Sequence, residues 1–353
     1  MTDLRPRQRR SKKRSLIVTA VALVVAMACG FALKDQIREV AVIISGLEYQ
    51  GSSGETVNFV ISKGENGQDI ARRLVSEGIT KDLTTTLRNM NSANPTFFPG
   101  VYKIQKQISS RAAIDLLSNP SNMILTRVTI REGLRLGQVF KLIAEKTGLP
   151  LGDFESEATN LAQFNIPKAA LNLEGYLFPA TYDFSPSLTA RDVLKVMVQR
   201  TKDQLITDGV PKSKWHSTLT LASIVQSEAR KTEDFYKVSR TFQNRLEIGM
   251  PLQSDATVNY GVGSEDIYTS DAERADANRY NTYRYPGLPI GPISGAGALA
   301  IDAVLKPADG NWFYFCTVNL KTGETVFSHT YGEHQLAVRQ WLKWMRENPG
   351  WDD

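Results

Sequence analysis

The sequence predicts a protein of the α+β class, in which an N-terminal transmembrane helix precedes a small βααβ module and a larger α+β domain. Three observations carry this prediction. They are an uncharged apolar run over residues 15–33, a strand, helix, helix, strand order over residues 56–105, and a series of helices followed by a β-hairpin after residue 171. A chain of 353 residues, of which 42% are hydrophobic, can bury more than one core.

The N-terminus predicts a membrane anchor. Residues 1–14 form a basic tail with seven cations and one acid, Asp3, so the tail accounts for the whole formal net charge of +5 and the rest of the chain is near neutral. Residues 15–33 carry no charge and are long enough to cross the hydrocarbon core of a bilayer. Because cations flank the run on its N-terminal side, we expect a single-pass protein in the cell membrane, with a cytoplasmic N-terminus and an extracytoplasmic remainder.

Other interpretations of the N-terminus remain open. The stretch 26–28 (Ala-Met-Ala) has the spacing of a signal-peptide cleavage site, and Cys29 directly after it could carry a lipid. In each version the bulk of the chain lies outside the cytoplasm. The basic tail then acts as a topology signal, and the outer part has no basic patch, so no nucleic-acid partner is predicted. Only Cys316 lies in the outer part, and the three histidines are scattered, so no disulfide and no metal site are predicted there.

Residues 34–55 are predicted as a linker, and residues 56–105 as a small module. Thr56–Ile61 alternates like a strand, two short helices follow, and a second strand begins at Gly100. This order resembles the LysM family of glycan-binding modules. A generic βααβ domain is the alternative, since no side chain in the module has unambiguous sugar-binding chemistry.

Residues 106–170 are predicted as a connecting subdomain, with a helix that Ser109 caps, a strand over residues 124–130 and a helix over residues 136–147 that ends at Gly148. Residues 171–353 are predicted as the catalytic domain. Thr189 caps its first long helix, and another helix covers residues 233–246. Residues 312–318 and 325–327 form a hairpin, and a last helix ends the chain.

Glu228 is the leading candidate for a catalytic acid. At about 100° per residue, Leu221, Ile224 and Val225 share a helical stripe with Glu228, which lies within roughly 20° of Leu221. A carboxyl on an apolar face is either paired with a cation or desolvated enough to keep its proton near neutral pH. The second state is the one that a general acid needs. A structural pair with a neighbouring cation is the alternative.

Four segments combine polar, aromatic and glycine residues in a way that core packing does not require. They are Leu173–Tyr182 (LEGYLFPATY), the Glu228 helix, Leu252–Tyr260 (LQSDATVNY), and Tyr280–Tyr283 (YNTY) running into Gly287–Ile293 (GLPIGPI). Together, and in this order, they resemble the YceG-like (MltG) family of membrane-anchored endolytic murein transglycosylases. The resemblance covers about residues 56–345.

The resemblance implies a LysM-like module joined to an α+β catalytic domain, with Glu228 as the catalytic residue and no metal or cofactor. It also implies a glycan groove formed by Glu174, Tyr176, Tyr182, Gln253, Ser254, Asp255, Thr257, Tyr260, Asn281, Thr282 and Tyr283. Family members often carry two glutamates two residues apart on this helix, whereas this chain has Gln226 in the first place. Ala180, Ala256 and the Gly295-Ala296 pair also depart from the family pattern and leave the shape of the groove open.

One acid suffices for the reaction that the resemblance implies. In a lytic transglycosylase the 6-hydroxyl of N-acetylmuramic acid attacks its own anomeric carbon, so one glutamate can donate a proton and then accept one. The expected partners are peptidoglycan glycan strands, the membrane lipid bilayer and peptidoglycan synthases. Two alternatives are a muramidase that pairs Glu228 with Asp255 or Glu174, and a non-catalytic scaffold that binds glycan and organises the synthases.

Overall fold

The computed structural model describes residues 46–51, 54–264 and 269–350. The chain divides into two compact units between Ile124 and Leu125, and each unit has its own hydrophobic core. The segment 106–170, which the sequence predicts as a connecting subdomain, is therefore divided between the two units.

The membrane part of the predicted fold class has to be corrected. Among the residues that the structure describes, no helix is both long and apolar enough to cross a membrane. The basic tail and the predicted span over residues 15–33 lie outside the described residues. The fold class that the structure supports is a mixed α+β chain, with no membrane-spanning helix in the described part.

The first unit has the predicted strand, helix, helix, strand order. Strand β1 (Thr56–Ile61) pairs antiparallel with β2 (Gly100–Gln105), with Thr56 opposite Gln105 and Ile61 opposite Gly100. Between them lie α1 (Gly67–Ser76) and α2 (Leu83–Ala93), whose first turns are capped by the side chains of Asn66 and Asp82. The βααβ prediction is confirmed.

Helix α3 (Ser110–Ser118) completes the first unit. Ser109 caps it as predicted, its hydroxyl accepting a hydrogen bond from the backbone N–H of Ala112 at 3.2 Å. Ile114 and Leu117 pack into the same core as Phe59 and Tyr102. Apolar burial therefore assigns this helix to the small module rather than to a separate connector.

The second unit begins with β3 (Thr126–Thr129), which pairs antiparallel with β4 (Thr181–Phe184). Between these strands lie α4 (Leu136–Thr147), which ends at Gly148 as predicted, and α5 (Leu151–Thr159). Three long helices follow: α6 (Ala190–Thr207), α7 (Trp215–Glu228) and α8 (Thr232–Glu247). Thr189 and Asp192 form a capping box at the start of α6, so the predicted cap is confirmed.

The rest of the second unit alternates short helices with the C-terminal hairpin. The helices are α9 (Asp255–Val262), α10 (Asp271–Ala275) and α11 (Ala298–Leu305). The predicted hairpin consists of β5 (Tyr314–Asn319) and β6 (Glu324–Ser328), and the chain continues into α12 (Tyr331–Glu347). Over the described residues, each sheet contains only two strands.

Helix α7 is the centre of the second unit. Every residue from Thr218 to Val225 is buried, so the helix is enclosed on all sides rather than along one apolar stripe as the sequence predicts. Glu228 is its last residue, and Ala229 leaves the helix in an extended conformation. The environment of the acid is therefore determined by the segments that meet the C-terminal end of α7.

Candidate active site

The carboxyl of Glu228 is held at the end of α7 by a hydroxyl from a distant segment. Ser254 Oγ donates a hydrogen bond to Glu228 Oε1 at 2.6 Å, and Glu228 as a residue is half-buried. Desolvation raises the pKa of Glu228, and the neighbouring Asp255 charge raises it too. The Ser254 hydrogen bond and the positive charge of Arg245 act in the opposite direction. The net effect is a pKa of Glu228 above that of an ordinary glutamate.

The orientation of Ser254 depends on a second buried network. Ser254 is the N-cap of α9, but its hydroxyl points to Glu228 instead of capping its own helix. Its backbone N–H donates to Thr282 Oγ1 at 3.1 Å, and the Thr257 hydroxyl bonds both Ser254 O and Thr282 Oγ1. Gln253, with a φ of 51°, donates its N–H to Thr282 O at 3.1 Å. Thr257 and Thr282 thus fix the position of Ser254, which in turn bonds Glu228.

Asp255 lies next to Ser254 but is engaged by other groups. Its Oδ1 accepts hydrogen bonds from Thr269 Oγ1 at 2.6 Å and from Tyr283 Oη at 2.8 Å. Arg274 Nε approaches the same oxygen at 3.5 Å, and its guanidinium lies over the Tyr283 ring. Two hydroxyl donors and a nearby guanidinium on one carboxylate oxygen favour a role for Asp255 in orienting its neighbours over a role in proton transfer.

Glu174 is a second buried carboxyl, only 3% exposed, at the start of α4. Each of its oxygens lies 3.0 Å from the backbone nitrogen of Leu136, and the Tyr260 hydroxyl is bonded to it as well. Burial raises the pKa of Glu174 to about 7, against the lowering effect of these hydrogen bonds and of the Arg135 charge. The position at a helix N-terminus explains how a carboxyl is tolerated in the interior.

The first and fourth motif segments meet at a glycine. Gly175 has a φ of 76°, and a Cβ on it would come within 2.5 Å of Pro292 Cβ. Both the backbone conformation and the close approach therefore require glycine. Ile293, which follows Pro292, donates its N–H to the buried hydroxyl of Ser223 at 3.0 Å, and this bond connects the fourth segment to α7.

Several residues that the sequence predicts to contact substrate are buried and form hydrogen bonds with other protein groups. The Tyr182 hydroxyl donates to Phe178 O at 2.6 Å, and the Tyr176 hydroxyl bonds His216 Nδ1 at 3.0 Å. The Asn281 amide donates to backbone carbonyls of α10 and of Asp276, and its Oδ1 accepts from the N–H of Tyr283. These contacts give the side chains supporting roles; their contact with substrate stays a prediction.

Four of the predicted groove residues keep accessible surface. Gln253 is exposed, while Asp255, Tyr260 and Tyr283 are half-buried. Gln253, Asp255 and Tyr283 belong to the same network as Glu228, whereas Tyr260 joins the Glu174 pair and contacts Tyr280 edge to face. Accessible surface beside the acid makes Gln253 the best placed of them to meet a ligand.

Arg245 is a residue of the site that the sequence motifs do not include; it is 6% exposed, and its charge acts on Glu228. Val238, Phe242 and Arg245 share one helical stripe of α8, the same signal that identified Glu228. Gln226, which stands where the family often has a glutamate, accepts a hydrogen bond from the N–H of Gly297 at 3.0 Å. It therefore stabilises the start of α11.

Ser254→Ala should slow the reaction without unfolding the protein. The change removes the hydrogen bond that orients Glu228 and lowers its pKa, so we expect about a tenfold lower turnover rate and a higher pKa of Glu228. The pH profile of turnover measures both. Ser227→Ala is the matched control, because that hydroxyl bonds only Ser223 O within α7. Equal turnover rates for Ser254→Ala and Ser227→Ala would show that the Ser254 hydroxyl does not orient Glu228.

The chain is similar in sequence to a known protein family. Residues 59–340 match the YceG-like family. A Bacillus subtilis (strain 168) protein named endolytic murein transglycosylase is 30% identical over 311 residues, which cover 82% of this chain and 86% of that protein. A Streptococcus pneumoniae (strain R6) protein of the same name is 27% identical over 339 residues, covering 85% of this chain. The chain spans 61% of the length of that second relative.

A solved structure agrees in fold. The crystal structure of a YceG-like protein from Listeria monocytogenes superposes with a TM-score of 0.53 at 27% identity, covering 80% of this chain and 99% of that one. The family match extends over both compact units, and the B. subtilis relative aligns over most of its own length. This chain therefore belongs to the YceG-like family.

Proposed function

We propose that this protein is a lytic transglycosylase that cleaves peptidoglycan with Glu228 as its only proton-transferring side chain. The observation that carries the proposal is the carboxyl of the half-buried residue Glu228, which accepts a hydrogen bond from Ser254 Oγ at 2.6 Å beside an Asp255 that two hydroxyls and Arg274 engage. The names of the relatives support the same reaction class.

The reaction proceeds in two proton transfers on one carboxyl. Protonated Glu228 gives its proton to the glycosidic oxygen as the bond from C1 of N-acetylmuramic acid to N-acetylglucosamine breaks. The resulting carboxylate accepts the proton of the 6-hydroxyl as O6 bonds C1, which closes the 1,6-anhydro ring and restores the acid. The raised pKa of Glu228 keeps a proton available for the first step, and the Ser254 hydroxyl and the Arg245 charge stabilise the carboxylate that this step leaves.

The mass of the products tests the proposal. The chain from residue 40 onward, incubated with purified peptidoglycan, should release fragments with 1,6-anhydro ends, lighter by one water than hydrolysis products. Cuts within long strands, rather than at their ends, identify endolytic cleavage. Products with reducing ends would instead identify a muramidase that uses water, and uncut glycan in a pull-down would favour a scaffold.

We further propose that the enzyme acts on the extracytoplasmic side of the cell membrane, on nascent strands beside the synthases that make them. The proposal follows from the substrate, since peptidoglycan strands are extended outside the cytoplasm. Endolytic cleavage there would limit strand elongation. The first unit, with its LysM-like order of elements, is a candidate for binding the strand and directing the cut.

A further inference from the structure

Arg245 is a buried cation whose hydrogen bonds go to backbone carbonyls. Its Nε donates to Phe313 O and its Nη1 donates to Leu252 O, each at 2.6 Å, and its guanidinium lies 5.4 Å from the centre of the Tyr314 ring. Within residues 46–51, 54–264 and 269–350, no carboxylate forms a salt bridge with it. A buried charge held only by carbonyls and a ring is costly, which favours a functional reason for it.

The hydrogen bond to Leu252 links Arg245 to the acid through three consecutive residues. Leu252 is fully buried, and Gln253 after it adopts the left-handed φ of 51° that turns the chain. Ser254 comes next and places its hydroxyl on Glu228. Movement of the Leu252 carbonyl would therefore change the position of the Ser254 hydroxyl.

Arg245 also acts on Glu228 through its charge. The charged groups around the acid are Asp255 from α9, whose negative charge favours the protonated form, and Arg245 from α8, which favours the carboxylate. Around Arg245 itself lie Tyr314 of β5, Tyr283 and His334 of α12. Within the described part of the chain, Arg245 is therefore the cation whose charge acts on the acid.

We infer that Arg245 is a positioning residue that holds the Leu252–Ser254 segment and stabilises the Glu228 carboxylate formed between the two proton transfers. The inference rests on the proposed function, because it needs Glu228 to exist briefly as an anion. Proton donation leaves a desolvated carboxylate, and a guanidinium that is held by backbone carbonyls stabilises that anion through its charge.

The test is the pH profile of kcat/KM, whose basic limb reports ionisation of the acid in the free enzyme. Arg245→Gln and Arg245→Met remove the charge, so the basic limb should move up by about one pH unit. Arg245→Lys keeps the charge but loses the two-pronged hold on Leu252 and Phe313, so the limb should stay while the rate falls about tenfold. A role in packing alone would leave the limb unchanged in every variant.

Arg240→Met is the matched control. Arg240 lies on the same helix and donates its Nε to Ala308 O at 2.9 Å, so it also anchors the segment before β5. Its loss should leave the basic limb in place. Glu174, whose pKa is about 7, is surrounded by Arg135 and Tyr260, so its own titration should be the same in all Arg245 variants.

Each outcome decides the inference. A basic limb that stays in the neutral variants, or that moves equally in the lysine variant, would overturn it. Unfolding of both neutral variants would assign Arg245 a purely structural role. The identity of the product is measured separately in the same samples. Reducing ends from the unaltered enzyme would contradict the proposed function. Anhydro ends together with an unchanged basic limb in the neutral variants would contradict only the role of Arg245.

Discussion

Glu228→Gln is expected to abolish the formation of 1,6-anhydro ends, with a loss of about 10²- to 10⁴-fold in rate. The substitution keeps the volume of the side chain and an oxygen that can accept the Ser254 hydrogen bond, but it removes the titrating proton. Binding of intact glycan strands should persist. Mass spectrometry of the digest and a glycan pull-down measure the two effects.

Stability gives an independent check on the same variant. The pKa of Glu228 is raised, so its ionised form destabilises the fold as the pH rises above the usual value of a glutamate. Glutamine removes that penalty, and the melting temperature near neutral pH should stay or rise. Glu233→Gln, the same change at an exposed site on α8, is the control for both assays.

A variant that melts several degrees lower yet keeps most of its cleavage rate would contradict the role of Glu228. It would identify a structural pair, and the acid would then have to be sought at Glu174 or Asp255.

Glu174→Gln should make the stability of the protein less dependent on pH. The pKa of Glu174 rises from the usual 4.5 to about 7 on folding, so the folded state binds its proton more tightly than the unfolded chain. The free energy of unfolding should therefore fall as the pH increases from about 4.5 to 7, by about 3 kcal/mol from this group. The neutral glutamine lacks this decline, because it cannot ionise.

Urea unfolding at pH 5 and pH 8 gives the change in the free energy of unfolding between these pH values for the unaltered protein and for Glu174→Gln. The difference between the two changes is the contribution of Glu174, since Glu228 contributes in the same direction to both proteins. The exposed Glu155→Gln should keep the full decline. An unchanged decline in Glu174→Gln would show that the Glu174 carboxyl is already ionised in the fold, held by Leu136, Tyr260 and the Arg135 charge.

The motif segments show how far residue types alone can predict a site. Helical periodicity places Glu228 with apolar neighbours, and Ser254 and Asp255 are neighbours in one motif. Yet Tyr176 and Tyr182 have the same residue type as Tyr283, and only the fold decides that the first two bond His216 and Phe178 while the third bonds Asp255. Tyrosine serves a core and a groove equally well.

Local order is what the sequence determined by itself. The starts of α3 and α6, the end of α4 at Gly148 and the C-terminal hairpin all follow from residues within one or two turns of each other, because caps and alternation act over that range. The helix over Asp255–Val262 was not anticipated, because its N-cap serine looks like part of a turn and bonds Glu228 instead.

The charge state of the acid was decided only by the tertiary structure. Glu228 and Ser254 are 26 residues apart, and Arg245 reaches the site by way of the Leu252 carbonyl. The sequence could state that a glutamate lies on an apolar helix, but not which hydroxyl, carboxylate and guanidinium surround it. Proton affinity depends on desolvation and on charges within a few ångströms, and here those atoms come from segments that only folding brings together.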